Sequence, residues 1–133
     1  MVTVLKKQKL ARFNRIYQAE CFPDDVVKMF GKSTSDKKRY INWLDARLLM
    51  LDIKGMNALG LEQFEHLKGT NNPKLYAIRH PHSNINERYI FIFSFGESTI
   101  LLTAFKKKSV SDYKLAIRRA ECIYRELEGQ HEQ

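Results

Sequence analysis

Residues 87–108 read ERYIFIFSFGESTILLTAFKKK, and this stretch decides the fold. Every second residue from Tyr89 to Phe95 is aromatic, so a strand here would carry one continuous apolar face. We predict that this aromatic row packs in the core, because helices must cover the sheet. Gly96-Glu97 has glycine first, which is typical of a two-residue type II′ hairpin turn. Residues 99–105 are then predicted to return as the antiparallel partner strand.

Helical patterns surround this predicted hairpin. Apolar residues spaced three or four apart indicate one buried helix face, and Ser, Pro and Gly mark helix ends. These signals predict helices over residues 23–30, 61–67 and about 111–127, a further helix that begins at a cap among Ser33, Thr34 and Ser35 and ends before Gly55, and a short strand over 74–79. The first twenty residues fit either a helix face or a short strand. We therefore predict an α+β fold, in which a small antiparallel sheet packs against N-terminal helices and a C-terminal helix.

The length of 133 residues leaves room for one domain. We expect residues 1–20 to form a basic extension, 21–129 a single domain and 130–133 a tail. The composition, with 44% hydrophobic and 29% charged residues, is that of an ordinary folded domain, which argues against wholesale disorder.

The sequence lacks the signals of a membrane or secreted protein. No apolar run approaches the roughly 18–20 residues of a membrane-spanning helix, and no apolar segment follows the basic N-terminus as in a signal peptide. Cys21 and Cys122 are too few for a disulfide scaffold, so we expect both to be free, buried thiols. These features predict a cytoplasmic protein with no membrane partner.

The formal charge of +8 is concentrated at the two ends of the chain. Residues 1–15 hold five basic side chains and no acidic one, and residues 104–125 hold seven basic side chains against two acidic ones. Such an excess favours an anionic partner, either nucleic acid or an acidic protein.

Three short motifs occur in a fixed order: LYAIR at 75–79, ERYIF at 87–91 and LLTAFKKK at 101–108, followed by a basic C-terminal helix. This order resembles the RelE superfamily of toxins, in particular its HigB-like and phage-derived branches, over roughly residues 61–127. The resemblance implies a ribosome-associated endoribonuclease that cuts mRNA without a metal or other cofactor. It also implies a cognate antitoxin as partner, of the helix-turn-helix type, besides mRNA and the ribosome.

The chemistry of such a cleavage suggests roles for four residues. The 2′-hydroxyl attacks the adjacent phosphate, which needs a base, an acid and positive charge on the phosphorane. Arg79 and Arg88, on adjoining strands, are predicted to grip that phosphate. Lys107, crowded by other cations, is predicted to act as the base. Tyr113 lies six residues after Lys107, as in RelE-type relatives, and is predicted to orient or deprotonate the hydroxyl or to stack on a base.

Further basic residues are predicted to bind nucleic acid: Lys106, Lys108, Lys114, Arg118, His80 and His82. Several branches have a histidine two residues before the strand-ending Phe, where this chain has Thr103, which argues against a histidine-centred mechanism there. Each assignment has a plainer alternative. Tyr113 fits the apolar stripe of its helix, the two histidines fit an ordinary loop, and Asp24 and Asp25 fit the first turn of a helix rather than a metal site.

Two other functions fit the same sequence. A ParE-like toxin would share the fold and inhibit DNA gyrase without cutting RNA. A non-catalytic phage-type protein would bind nucleic acid with steep salt dependence and no turnover.

Overall fold

The computed structural model describes residues 7–31, 34–70, 73–80, 85–94 and 98–128, and for 34–36 and 128 the backbone only. The described residues form an α+β fold with a six-stranded, mostly antiparallel sheet and three α-helices, as the sequence predicts. The elements in chain order are β1 (Lys7–Lys9), β2 (Ile16–Ala19), α1 (Phe22–Phe30), α2 (Thr34–Lys54), a 3₁₀ helix (Gly55–Gly60), β3 (Phe64–His66), β4 (Tyr76–Arg79), β5 (Glu87–Phe93), β6 (Thr99–Lys106) and α3 (Val110–Glu128).

The sheet has the strand order β1-β2-β6-β5-β4-β3. Neighbouring strands in the sheet run antiparallel except β2 and β6, which pair in parallel over Ile16–Gln18 and Thr99–Leu101. The last strand in the chain therefore lies inside the sheet, between β2 and β5. The sequence left the first twenty residues open between a helix face and a strand, and the structure has strands there.

Helices cover both faces of the sheet. On one face α1 and α2 pack on Tyr89, Phe91 and Leu101, and on the other α3 packs on Ile90 and Ile92. The predicted core role of the aromatic row is confirmed for Tyr89 and Phe91, which are fully buried. Both faces of β5 are therefore apolar, because each of them is covered by a helix. Phe95 and the predicted Gly96-Glu97 turn lie outside the described residues.

The helix periodicities confirm the predictions for α1, α2 and α3. In α2 the buried residues Tyr40, Leu44, Leu48 and Leu51 recur every three or four positions, and Ala116, Ala120, Ile123 and Leu127 do so in α3. Gly31 and Gly55 follow α1 and α2 with φ of 63° and 56°, a left-handed conformation that glycine adopts without steric cost. None of the helices in the described ranges is long and apolar enough to cross a membrane.

Two predictions fail. Residues 61–67 do not form a helix, because Phe64–His66 pair with Tyr76–Ile78 in the sheet and a 3₁₀ helix precedes them. Cys122 is exposed and Cys21 half-buried, although both thiols are free. At the start of α3, Asp112, the third residue of the helix, accepts the backbone N–H groups of Lys108 and Ser109, at 2.7 and 2.9 Å, as the acidic residue of a capping box does.

Candidate functional site

A cluster of polar side chains lies at the edge of the sheet where β4 and β6 end and β5 begins, on the face covered by α3. Arg79 of β4 lies opposite Arg88 of β5, which lies opposite Phe105 of β6. Residues directly opposite each other in a sheet project from the same face with their Cβ atoms about 5 Å apart. The two arginines that the sequence predicted to converge therefore share one row, with Phe105 beside them.

Arg88 is held by contacts on two sides. Its Nε donates to the Tyr113 hydroxyl at 3.2 Å, and its Nη1 donates to Asn86 Oδ1 at 2.7 Å and to the Glu87 carbonyl at 3.2 Å. Among the residues that the structure describes, none forms a hydrogen bond with Nη2. The Arg88 side chain is 11% exposed, so it is held by its three bonds with a small part of its surface in solvent.

Glu65 of β3 completes this arrangement. The Tyr113 hydroxyl donates to Glu65 Oε1, and the same oxygen lies 4.0 Å from Arg88 Nε. The Glu65 side chain is 29% exposed, so its carboxylate is accessible from outside. Burial, and then the bond to Glu65, raise the pKa of Tyr113 to about 12. Tyr113 is therefore protonated near neutral pH and acts as a hydrogen-bond donor, which argues against its predicted use as a base.

Lys107 lies above the same tyrosine. Its Nζ is 5.5 Å from the centroid of the Tyr113 ring, within cation–π range. Its backbone is held as well, because the Lys107 N–H donates to the Asn86 carbonyl at 3.0 Å and the Lys107 carbonyl accepts from Asn86 Nδ2 at 2.9 Å. We call Glu65, Arg88, Lys107 and Tyr113 the Arg88 cluster.

Arg79 belongs to the same row but its guanidinium is bound elsewhere. Its Nε donates to the Glu62 carbonyl at 3.1 Å, and its backbone N–H donates to the Gln63 carbonyl at 2.8 Å. The structure thus brings Arg88, Lys107 and Tyr113 into contact and leaves Arg79 beside them in the row.

His80 lies on the opposite face of the sheet, in a second cluster. Its Nδ1 lies 3.0 Å from Glu87 Oε1, and Tyr89 donates its hydroxyl to Glu87 Oε2 at 2.9 Å. Its ring stacks on Trp43 of α2 with the centroids 3.8 Å apart. Burial lowers the pKa of His80 below its ordinary value. We call His80, Glu87 and Tyr89 the His80 cluster, and it is packed against α2 rather than held in an open loop.

Most of the other residues predicted to bind nucleic acid are neighbours in the chain of Lys107 or Tyr113 or lie further along α3. Lys108 is exposed, as are Lys114 and Arg118 on the outer face of α3. Lys106 lines a groove between α1 and α3. His82 lies outside the described residues.

Asp25 has a structural role that its position in the sequence did not suggest. The sequence placed it among the acids of a first helical turn, and in the structure it is buried. Arg119 of α3 donates to both of its oxygens at 2.8 Å, and the Thr103 hydroxyl donates to Oδ2 at 2.5 Å. Thr103, at the position where several related branches have a histidine, is thus occupied in tying β6 to α1.

Sequence reasoning missed two residues of the site, Glu65 and Asn86. Glu65 lies in the segment that was predicted to be a helix, where an alternating pattern of only three residues is too short to indicate a strand. Asn86 could have been recognised as a polar residue directly before a strand, because asparagine tolerates the left-handed conformation of such turns. Within the described ranges, no group of three or more His, Cys, Asp or Glu side chains could hold a metal ion.

Comparison with known families gives one match. Residues 44–125 match the family model described as Phage derived protein Gp49-like (DUF891). The matched region runs from the middle of α2 to the last turns of α3, so it contains the whole Arg88 cluster. A comparison with curated proteins finds no match. Since the family model covers more than half of the chain, the chain belongs to the Gp49-like family of phage-derived proteins, which is related to RelE-type toxins.

Proposed function

We propose that this chain is the toxin of a type II toxin–antitoxin system and cleaves mRNA on the ribosome. The family membership is consistent with a toxin of this kind. The observation that supports ribonuclease chemistry is the Arg88 cluster, in which a fixed guanidinium, an accessible carboxylate and an ammonium group lie around one tyrosine.

Each group of the cluster suits one part of the reaction. Arg88 Nη2 is the donor best placed to bind a non-bridging phosphate oxygen and to stabilise the phosphorane. Glu65 is a carboxylate and can accept the proton of the 2′-hydroxyl, which is a better match for the base than the Lys107 that the sequence suggested. Lys107 can donate a proton to the leaving 5′-oxygen. Tyr113 holds Glu65 and Arg88 in position.

The reaction balances with these groups alone. The 2′-oxygen loses its proton to Glu65 and forms a bond to phosphorus, while the bond from phosphorus to the 5′-oxygen breaks. The 5′-oxygen leaves with a proton from Lys107. The products are a 2′,3′-cyclic phosphate and a 5′-hydroxyl end, so the chemistry of the RNA ends identifies the mechanism.

Substitution of Arg88 tests this function. Purified protein is added to ribosomes translating a defined mRNA, and the new RNA ends are mapped and tested for 5′-hydroxyl groups. We expect the wild type to produce such ends and Arg88→Ala to do so about 10²–10³-fold more slowly, as when one donor to a developing charge is removed. Arg125→Ala is the matched control, because it removes the same charge from an exposed position of α3.

Two results contradict the proposal. Wild-type protein that leaves ribosome-bound mRNA intact would exclude the ribonuclease, and inhibition of gyrase supercoiling by that same protein would favour the ParE-like alternative. Equal rates for Arg88→Ala and Arg125→Ala would show that the cleavage comes from another site.

The proposal includes an antitoxin as partner. An active ribonuclease must be neutralised in its host, and the exposed cations Lys114 and Arg118 on α3 offer an acidic protein a complementary surface. Co-expression with the protein encoded next to this chain should abolish the cleavage, and a stable complex should be recovered at low salt.

A further inference from the structure

Asn86 has an unusual backbone and directly precedes β5. Its φ is 51°, and among the described residues other than glycine it is the one with a positive φ. A non-glycine residue in this left-handed region is strained, and asparagine tolerates the strain more easily than most residues. Something else in the surroundings must favour asparagine over glycine here.

The side-chain amide of Asn86 bonds to two members of the Arg88 cluster at once. Its Oδ1 accepts from Arg88 Nη1 at 2.7 Å, and its Nδ2 donates to the Lys107 carbonyl at 2.9 Å. The Asn86 carbonyl also accepts the Lys107 N–H at 3.0 Å. Asn86 and Lys107 thus form a reciprocal pair one residue beyond the last paired residues of β5 and β6, Glu87 and Lys106.

We propose that Asn86 is the positioning residue of this site, fixing the Arg88 guanidinium relative to the Lys107 backbone. A planar amide offers a donor and an acceptor with a fixed separation, so the two bonds set the distance between the groups that they hold. Neither glycine nor alanine could make both bonds. The inference rests on the proposed function, because Arg88 and Lys107 are the groups that the reaction uses.

We expect the Asn86 side-chain amide to affect the rate of the cleavage step rather than the binding of substrate. Without it, Arg88 keeps its bonds to Tyr113 and to the Glu87 carbonyl, so the charge stays in the site but its direction is less constrained. A displacement of about 1 Å of a catalytic group can cost about 10²-fold in rate. We therefore expect a loss in the cleavage step with little change in affinity for the ribosome.

The left-handed backbone makes Asn86→Gly a clean substitution. Glycine adopts positive φ without steric cost, so this variant removes both side-chain bonds and leaves the turn unstrained. Asn86→Asp keeps the acceptor for Arg88 and loses the donor for the Lys107 carbonyl. Asn42→Ala is the control, since it removes an exposed amide from α2, remote from the cluster.

Two measurements test the proposal. The first is the single-turnover cleavage rate and the ribosome concentration at half-saturation; Asn86→Gly should lose about 10–100-fold in rate, with half-saturation changed by less than about threefold. The second is the NMR signal of Arg88 Nε–H, which should shift or broaden in Asn86→Gly and also in Asn86→Asp, because the second variant puts a carboxylate beside the guanidinium and loses the bond to the Lys107 carbonyl. Asn42→Ala should match the wild type in both.

The outcomes separate this inference from the proposed function. If the wild type cleaves no mRNA, the ribonuclease proposal fails, and the Arg88 signal still decides whether Asn86 orients the guanidinium. If Asn86→Gly keeps both the wild-type rate and the wild-type Arg88 signal, Asn86 is not a positioning residue. A fall in rate that only follows a loss of folded protein, measured by thermal unfolding, would overturn the inference as well.

Discussion

The two faces of the sheet carry two clusters of similar composition and opposite accessibility. The Arg88 cluster has a glutamate, a tyrosine that donates to it and a basic side chain nearby, and the His80 cluster has the same three kinds of group. Glu87 and Arg88 are consecutive residues of β5, so the alternation of a strand sends one to each face. Glu87 is 0% exposed, whereas Glu65 is 29% exposed.

Burial, rather than residue type, distinguishes the His80 cluster, which is structural, from the Arg88 cluster, which is the candidate active site. Burial and Glu87 raise the pKa of Tyr89 far above its ordinary value, while the pKa of Tyr113 rises to about 12. A fully buried acid cannot reach a substrate and instead joins β4 to β5 beneath α2. An accessible acid beside a fixed guanidinium can exchange protons with a bound ligand. Three predictions test this contrast, and the largest effect comes first.

Removing the two glutamates should affect stability very differently. Glu87→Ala leaves a cavity and the buried Tyr89 hydroxyl without its acceptor, so the free energy of unfolding should fall by about 3 kcal/mol. Glu65→Ala should change it by less than about 1 kcal/mol, because water can replace the lost carboxylate. Urea denaturation of both variants gives the comparison. Equal losses of stability would show that the two clusters do not differ as we infer.

Removing the two tyrosine hydroxyls should separate stability from activity. Tyr89→Phe removes the hydroxyl that donates to the buried Glu87 Oε2 and should cost about 1–2 kcal/mol of unfolding free energy. Tyr113→Phe should cost less than about 0.5 kcal/mol and should slow mRNA cleavage roughly tenfold, because Glu65 and Arg88 lose a shared partner. Cleavage by Tyr89→Phe, corrected for the folded fraction, should equal that of the wild type. A larger loss of rate in Tyr89→Phe than in Tyr113→Phe would reverse our assignment.

The smallest expected effect is the pH dependence contributed by His80. Its pKa is lowered in the folded protein, mainly by burial, so the unfolded chain takes up its proton first as the pH falls below about 6.5. The stabilisation that neutral His80 contributes is therefore present above that pH and decreases below it. Between pH 7.5 and 5.5 the wild type should lose about 1 kcal/mol more than His80→Phe, which keeps an aromatic ring on Trp43. The exposed His66→Gln is the control and should behave as the wild type; a pH dependence unchanged in His80→Phe would refute the assignment.

Long periodic segments were predictable from the sequence and short ones were not. The alternation in β5 and the three-to-four spacing in α2 and α3 each extend over enough residues to define one period. In residues 61–67, Phe64 and Leu67 are three apart, which fits one face of a helix. What decides the structure there is pairing with β4, a contact between residues distant in the chain that a local pattern does not contain.

The candidate site was predictable in part from residue chemistry and in part from the family resemblance. Arginines on adjoining strands and a run of lysines pointed to Arg88 and Lys107, and the resemblance to RelE-type toxins pointed to Tyr113. The structure brings these three residues together. Glu65 and Asn86 join them through the sheet register and through a left-handed turn, and neither can be derived from spacing along the chain. His80 was assigned by type, but the alternation of the strand places it on the other face.

The position of β6 has a consequence for how the chain assembles. This strand is the last of the six in the sequence and lies inside the sheet, where it joins the N-terminal pair of strands to the other three. Ile16 pairs with Thr99, so β2 and β6 can pair only after residue 99 has been synthesised. The sheet therefore cannot grow strand by strand from the N-terminus during synthesis. Contacts over such sequence separations fold slowly. The Arg88 cluster contains Lys107, which follows β6, and Tyr113 of α3, so it cannot form before most of the chain has been synthesised.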